Sequence, residues 1–472
     1  MTPLYVDLDG SLLRGDSLHE ACIRLLRHPL KFIPAGIALL RGKAAFKQSV
    51  MESVDLSASA LPYRKEFMEW LRGQKAAGRK LILATGADKE IAHRVAAHLG
   101  LFDDVLASDG SINLTGENKL VAIKRHAAGQ PFAYAGDGLI DLIVWNECAS
   151  VVLVGSGVQH KKNLNDVTKV EQSFPDRRNE LSKIIKLLRP HQWAKNTLIF
   201  FPAAAAHLLT SWSVMKADLA LFAAFSLCAS GVYAANDLLD LASDRQHSHK
   251  CNRPLASGAV TIPVGLLLAL VLPVVALVIA WFAMGWSAFA MLAAYWLITT
   301  YYSFSGKRIP LLDVFLLAGL YTFRSVAGAL PVPTGMSEWM AAFLLFLFFS
   351  LACLKRFSEL LNLPEVHNGK IAGRGYVRAD HLLMGLLGVG SAFAATLVIC
   401  LYATSPAVTS LYPRPIYLMA IAPLVLFGLA RFWLQAWRGE LHNDPVVHAL
   451  KDGVSYLLLV LCGLSMVAAT YS

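Results

Sequence analysis

Two groups of carboxylates carry the chemistry legible in this chain. The first lies at its start. "VDLDGSL" sets Asp7 and Asp9 two residues apart after a short apolar run. Residues i and i+2 share one face of a strand, so both carboxylates can point into one site. "ILATGAD" then sets Thr85 after a second apolar run, "GENKLV" supplies Lys119, and "YAGDGLIDL" supplies Asp137 and Asp141 after a third. Phosphoryl transfer needs this collection. It takes an anionic nucleophile, an acid/base, carboxylates for Mg²⁺, and hydroxyl and cation contacts to the phosphoryl oxygens. Lys124 competes with Lys119 for the cation's role.

The second group lies in "AANDLLDLASDRQHSHKCNRPLASG", residues 234–258, which follows a long apolar run. It holds Asn236, Asp237, Asp240 and Asp244, then Lys250 and Arg253. If the preceding helix continues to residue 245, the three aspartates fall within ~60° of one another at ~100° per residue. Such carboxylates repel one another and need a cation. Hard oxygen ligands favour Mg²⁺ shared with a substrate phosphate, and Lys250 and Arg253 suit the remaining phosphate oxygens.

Further cations are expected on the same side: Lys195 with Asn196 in "LRPHQWAKN", Lys307 before Asp313 in "YYSFSGKRIPLLD", and Lys355 with Arg356 in "ACLKRFSEL". Arg324 lies within the apolar run "FLLAGLYTFRSVAGAL". It is costly there unless it lines a polar cavity or has a partner. Asp313 is in register for an ion pair, ~20° away on a shared helix face. Lys355 and Glu359 have the spacing of an ordinary i, i+4 pair.

The elements that position these residues are of two kinds. The chain has 472 residues, of which 56% are hydrophobic and 16% charged, too apolar and too long for one soluble core. Its formal charge of +10 suits membrane orientation rather than nucleic-acid binding. The seven cysteines lack metal-binding spacing, which suggests reduced thiols. The first residues lack a basic and apolar leader, so the chain is expected to begin in the cytosol.

Residues 1–155 read as an α/β domain. Strands are expected at "LYVDL", "KLILAT", "FAYAG" and "SVVLV", and a helical cap at about 17–75. Part of the cap, "HPLKFIPAGIALLRGKAAF", is apolar enough to touch lipid headgroups. Residues 156–190 read as a basic linker whose end, "ELSKIIKLL", suits an interfacial helix. Residues 191–472 read as an all-α membrane domain of about nine spans. These are expected near 196–210, 217–238, 264–284, 287–304, 312–331, 339–359, 382–403, 414–435 and 453–471. Lys and Arg gather after alternate spans, which puts those loops and the N-terminal domain in the cytoplasm.

The DxDG, Thr, Lys and GDxxxD series resembles the haloacid dehalogenase superfamily of phosphatases, an α/β Rossmann-like fold. The resemblance implies Asp7 as nucleophile and Asp9 as general acid/base, with Thr85 and Lys119 on the phosphoryl group. It also implies Mg²⁺ at Asp7, Asp137 and the Asp9 backbone, supported by Asp141. Ser11 stands where threonine is more usual, and the hydroxyl is retained.

The pattern N-D-x-x-D-x-x-x-D followed by K-x-x-R-P-L-A-S-G resembles the UbiA superfamily of intramembrane transferases, over about residues 185–472. "RPHQWAKN", "YYSFSGKRIPLLDVF", "FRSVAGA" and "LKRFSEL" are most similar to its decaprenyl-phosphate phosphoribosyltransferase branch. That resemblance implies transfer of 5-phosphoribose from phosphoribosyl diphosphate to a polyprenyl phosphate in a bacterial inner membrane, for cell-envelope glycan synthesis. Mg²⁺ would sit between Asp237, Asp240, Asp244 and the diphosphate. The fused phosphatase would then remove the 5-phosphate. Many members pair carboxylates where Asp313 stands alone, which argues against a prenyl diphosphate donor. Prenyl transfer to an aromatic or lipid acceptor is the alternative. Lipid bilayer and both substrates are the expected partners, no nucleic acid is expected, and an oligomer is compatible with the sequence.

Overall fold

The computed structural model describes residues 1–25, 31–40, 42–109, 111–164, 169–176, 180–363, 374–405, 408, 412–441, 445–449 and 451–471. Two compact units emerge. One comprises Met1–Leu188 with Tyr233–Leu270, the other Arg189–Val232 with Val271–Ser472.

The first unit is built on six parallel strands: β1 (Leu4–Val6), β2 (Leu81–Asp88), β3 (Asp104–Ser108), β4 (Ala133–Gly136), β5 (Ser150–Gly155) and β6 (Lys169–Pro175). Their order is β3-β2-β1-β4-β5-β6. Alternation of side chains assigns the two faces. Leu4, Val6, Leu81, Leu83, Ala133, Ala135, Val152 and Val154 enter one core. Tyr5, Ile82, Ala84, Tyr134, Val151 and Leu153 enter the other. A sheet buried on both faces reads as continuous apolar runs, which is why these strands stand out in the sequence. The chain order reverses between β1 and β4, and such a reversal opens a crevice at the strands' carboxyl ends.

The sequence missed two strands. β3 has only Val105, Leu106 and Ala107 between polar ends. β6, expected as part of a polar linker, carries Lys169, Glu171, Gln172 and Ser173 and pairs with β5 at the sheet edge. Four helices form the insertion between β1 and β2: α1 (Ser17–Leu25), α2 (Phe32–Leu39), α3 (Lys43–Ser53) and α4 (Lys65–Ala76). In α2, Phe32, Ile33, Ile37 and Leu39 are exposed, a face of the kind expected to meet lipid. A helix over Glu180–Leu188 leaves Leu181 and Ile185 exposed and buries Leu187.

Among the described residues, six helices are long and apolar enough to cross a membrane: Trp212–Leu239, Ile262–Phe304, Glu338–Leu361, Arg378–Ala403, Pro415–Trp437 and Gly453–Tyr471. Ile262–Phe304 is interrupted by non-helical backbone at Met284 and Gly285, where Gly285 has φ +65°. The break falls between the expected spans 264–284 and 287–304.

Two other expected spans differ. Residues 190–200 form a 3₁₀-helix followed by a short α-helix, Phe201–Ala205, in place of a span at 196–210. Pro190 and Pro202 remove backbone donors there. The helix expected at 312–331 covers Leu312–Gly328, 17 residues. At ~1.5 Å per residue that is short of a ~30 Å hydrocarbon core.

Candidate functional site

The first site forms where β1, β2 and β4 end. Asp7 follows β1 and its backbone N–H donates to Ala135 O at 3.0 Å, so strand pairing continues into the site. Its Oδ1 accepts from Leu8 N at 2.8 Å and its Oδ2 from Lys119 Nζ at 2.8 Å. Lys119 reaches in from a helix over Glu117–Ala127, is buried, and also donates to Tyr134 Oη at 2.8 Å. Tyr134 in turn donates to Asp141 Oδ1 at 2.8 Å. The other oxygen of Asp141 accepts from the backbone N–H groups of Asp137 and Gly138, both at 3.1 Å. Asp141 thus ties down the loop that presents Asp137. Ser11 Oγ donates to Asp137 Oδ1 at 3.2 Å, and Ser156 Oγ to Asp137 Oδ2 at 3.3 Å.

Ligand atoms of Asp7, Asp137 and Asp141 all lie within 4.8 Å of one another. Three buried or half-buried carboxylates at that separation suit a hard divalent cation. Gly10, at φ +75°, permits the approach: a Cβ there would stand 2.2 Å from Asp137 Oδ2.

The environment divides the acids. Burial pushes Asp9 up to about 8, with Asp16 adding to the shift and hydrogen bonds from Ser17 N and Oγ opposing it. Burial also pushes Asp137 up to about 7, with Asp7 and Asp141 adding to it. Asp7 is raised by burial against the pull of Lys119. Burial disfavours the Lys119 charge, but Asp7 and Asp141 outweigh it and raise the pKa. Thr85 is fully buried near the end of β2, its Oγ1 accepting from Ala87 N at 3.0 Å. Lys124 lies outside this site, in an exposed pair with Glu147 at 2.8 Å.

The 234–258 segment is arranged differently from expectation. The helix ends at Leu239, Asp240 forms a turn, and helix resumes over Leu241–Gln246. Asp237 and Asp244 are buried, and one guanidinium joins them: Arg253 Nη1 lies 3.0 Å from Asp237 Oδ1 and 2.7 Å from Asp244 Oδ2. Arg253, expected to hold a phosphate, is here the counter-ion of the motif. The trio Asp237, Asp240 and Asp244 is not among the metal-sized clusters of the described residues. Asn236 is half-buried and Lys250 exposed.

The second unit brings together Lys195, Asn196 and Arg324. Arg324 Nε donates to Asn196 Oδ1 at 2.8 Å and its Nη2 to Tyr295 Oη at 2.7 Å. Both Arg324 and Lys195 lie over the Tyr321 ring, at 5.3 and 5.7 Å from its centroid. Asp313 therefore does not pair with Arg324. It is fully buried and bound by Arg356 at 2.7 Å, Arg374 at 3.1 Å and Tyr376 Oη at 2.5 Å. Glu359 pairs with Arg356. Lys307 is half-buried in a 3₁₀ turn, Gly306–Arg308.

Sequence reasoning missed Tyr134, Ser156, Tyr295, Tyr321, Arg374 and Tyr376. None of them stands in a motif whose spacing marks it. Only the tertiary fold puts them beside charged partners.

Two family models match the chain: the UbiA prenyltransferase family over residues 197–450 and haloacid dehalogenase-like hydrolase over residues 4–143. The chain belongs to the UbiA prenyltransferase family and carries a haloacid dehalogenase-like domain before it. It is a membrane protein of the transferase class. Its relatives include an uncharacterized protein, y4nM, of Sinorhizobium fredii, 35% identical over 99% of this chain and 91% of that protein. Nodulation protein NoeC of Azorhizobium caulinodans is 34% identical over 60% of this chain and 92% of its own length. Decaprenyl-phosphate phosphoribosyltransferase of Mycolicibacterium smegmatis is 33% identical over 41% of this chain and 62% of its own length.

Proposed function

We propose that the protein transfers 5-phosphoribose from phosphoribosyl diphosphate to a polyprenyl phosphate and then removes the 5-phosphate. The observation that carries this reading is the state of Asp313. Buried among Arg356, Arg374 and Tyr376, it is committed to cations and is poorly suited to hold a second metal for a prenyl diphosphate. A surplus of cations matches an acceptor that is itself a phosphate. Such an acceptor is already ionised and needs no general base, only positive charge to bring two anions together. The naming of relatives as decaprenyl-phosphate phosphoribosyltransferase supports the same reading.

In the transferase, Asn236, Asp237, Asp240 and Asp244 would hold Mg²⁺-diphosphate, with Lys250 and Arg253 on the phosphate oxygens. Mg²⁺ would supply charge stabilisation to the departing diphosphate. Arg253 must then leave Asp237 and Asp244. Lys195, Asn196, Lys307, Arg324, Lys355 and Arg356 would position the anionic substrates, Arg356 acting through its hold on Asp313. The acceptor phosphate oxygen attacks C1 of the ribose, and diphosphate leaves.

In the phosphatase, Asp7 attacks phosphorus while protonated Asp9 donates to the departing sugar oxygen. Water then cleaves the aspartyl phosphate, with Asp9 as base. Lys119 and Thr85 would hold the phosphoryl oxygens, and Asp7, Asp137 and the Asp9 backbone would hold Mg²⁺, with Asp141 in support. The proposed division of the chain is phosphatase from residue 1 through β6, a basic connecting segment at 176–190 and transferase at 191–472. The long apolar helices would cross a bacterial inner membrane, with the N-terminal domain in the cytoplasm. The test supplies membranes with either ribose-labelled phosphoribosyl diphosphate or labelled prenyl diphosphate. Label is expected in the lipid fraction from the first alone. Incorporation from the second alone favours prenyl transfer and overturns the reading.

A further inference from the structure

The mouth of the phosphatase site is not made by that domain alone. A cavity of about 460 Å³ opens on Asp9, Gly10 and Asp137, and its far wall comes from Leu255, Gly258 and the Val260–Pro263 run that follows the second acidic motif. These residues belong to the same compact unit as the sheet. The packing is close: at Gly258, φ +68°, a Cβ would lie 2.4 Å from Arg14 O. The wall is pinned by Arg245. It forms a buried pair with Glu20 of α1 at 2.5 Å and donates to Ala60 O at 3.0 Å and Ala256 O at 2.8 Å.

Three guanidinium groups line this cavity. Arg245 is committed to Glu20 and two carbonyls. Arg64 is committed to Asp176 and Gly10 O. Arg14 differs: its Nε is buried and has no hydrogen-bond partner. A buried, unsatisfied donor on a cation, in a polar cavity beside a phosphatase centre, suits an anion.

We propose that this cavity is a two-anion site. The phosphomonoester goes to Asp7, and a second phosphate of the same molecule lies against Arg14. This rests on the phosphatase reading above and gives its substrate class: a sugar 5-phosphate whose C1 carries a phosphodiester to a lipid. The cavity has the size of a headgroup site and not of a polyprenyl chain. The wall at Ile262 begins the helix Ile262–Phe304, apolar enough to cross a membrane. The lipid tail therefore stays outside the cavity, and the headgroup alone enters.

The test uses full-length protein in nanodiscs. It compares kcat/KM for ribose 5-phosphate, ribose 1,5-bisphosphate and a short-chain prenyl-phosphoryl 5-phosphoribose, with Asp7→Asn as the control for contaminating phosphatases. The bisphosphate is expected to exceed the monophosphate by about ten-fold or more, the scale of a hydrogen bond to a charged group, and the lipid-linked substrate to equal or exceed the bisphosphate. Arg14→Gln is expected to bring the bisphosphate-to-monophosphate ratio close to one, and Arg14→Lys to restore part of it. A wild-type ratio near one, or a ratio unmoved by Arg14→Gln in a protein that still turns over ribose 5-phosphate, overturns the two-anion site. Hydrolysis of ribose 5-phosphate without hydrolysis of the lipid-linked substrate overturns both this site and the phosphatase reading. If label from phosphoribosyl diphosphate never enters lipid yet the ratio still depends on Arg14, the two-anion site stands and the donor assignment falls.

Discussion

The two acidic clusters of the first unit differ in whether their carboxylates converge. Asp7, Asp137 and Asp141 converge within 4.8 Å, held by Lys119, Tyr134 and backbone N–H groups. Asp237 and Asp244 instead share the Arg253 guanidinium directly. In the first cluster Lys119 serves two members, at 2.8 Å from Asp7 and 3.6 Å from Asp141, and the third, Asp137, accepts from the Ser11 and Ser156 hydroxyls. In the second the Arg253 guanidinium joins the two buried members. Convergent carboxylates are a preformed metal site. Carboxylates bridged by an arginine are stable without a metal and must exchange partners to bind one. The contrast suits a phosphatase that keeps its metal through many turnovers and a transferase whose metal arrives with its diphosphate.

The contrast can be broken at either end. The largest effect is expected at the nucleophile: Asp7→Asn should lower phosphate release from p-nitrophenyl phosphate by about a thousand-fold or more, as loss of a covalent nucleophile does. The transferase should be unaffected, measured as label entering lipid. Asp237→Asn should do the reverse. It should cost transfer about a hundred-fold, the scale of a removed charge-stabilising group, and leave p-nitrophenyl phosphate turnover intact. Loss of both activities in either variant contradicts two separate centres.

Arg253→Gln sharpens the comparison. With the guanidinium gone, Mg²⁺ alone should bind the second cluster about ten-fold more tightly, the scale of one charge-assisted hydrogen bond. Mg²⁺-dependent protection against thermal unfolding reads this directly. Equal protection in variant and wild type means that Arg253 does not stand in for the metal.

The smallest effect lies at the edge of the sheet beneath the first cluster. Hydrogen bonds from Arg79 hold Glu171 below the usual carboxylate range, against an opposing contribution from burial. A depressed pKa in the folded protein gives stability that is complete above the ordinary glutamate value and is lost as pH falls through the depressed one. Glu171→Gln should cost about 1 kcal/mol or less of stability at neutral pH, read as a lower unfolding midpoint. The difference from wild type should shrink on acidification. A difference that grows on acidification contradicts this role for the pair.

Much of the first site was legible because its chemistry is local. Asp7 and Asp9 sit on one short segment, and Asp137 and Asp141 on one turn. The strands beneath them are buried on both faces and so stand out as apolar runs. β6 was lost for the converse reason: an edge strand needs few apolar residues, and Val170 and Phe174 are its share. The helix break at Asp240 gives no clear signal in "NDLLDLASD". Leucine and alanine on both sides favour helix, and only tertiary packing overrides them. Partner choice was the least legible. Asp313 and Arg324 are in helical register, yet each finds a partner distant in sequence: Asp313 meets Arg356 and Arg374, and Arg324 meets Asn196 and Tyr295. Helical periodicity gives the face of a residue, not what packs against it.

The central claim is that one chain builds a lipid-linked phosphosugar and then dephosphorylates it. The most direct measurement follows ribose-labelled phosphoribosyl diphosphate into polyprenyl phosphate with purified full-length protein, and separates lipid-linked ribose from lipid-linked 5-phosphoribose. Wild type is expected to yield lipid-linked ribose, and Asp7→Asn to accumulate the 5-phosphate form in equal total amount. The same dephosphorylated fraction from both proteins, or no label in lipid from either, would contradict it.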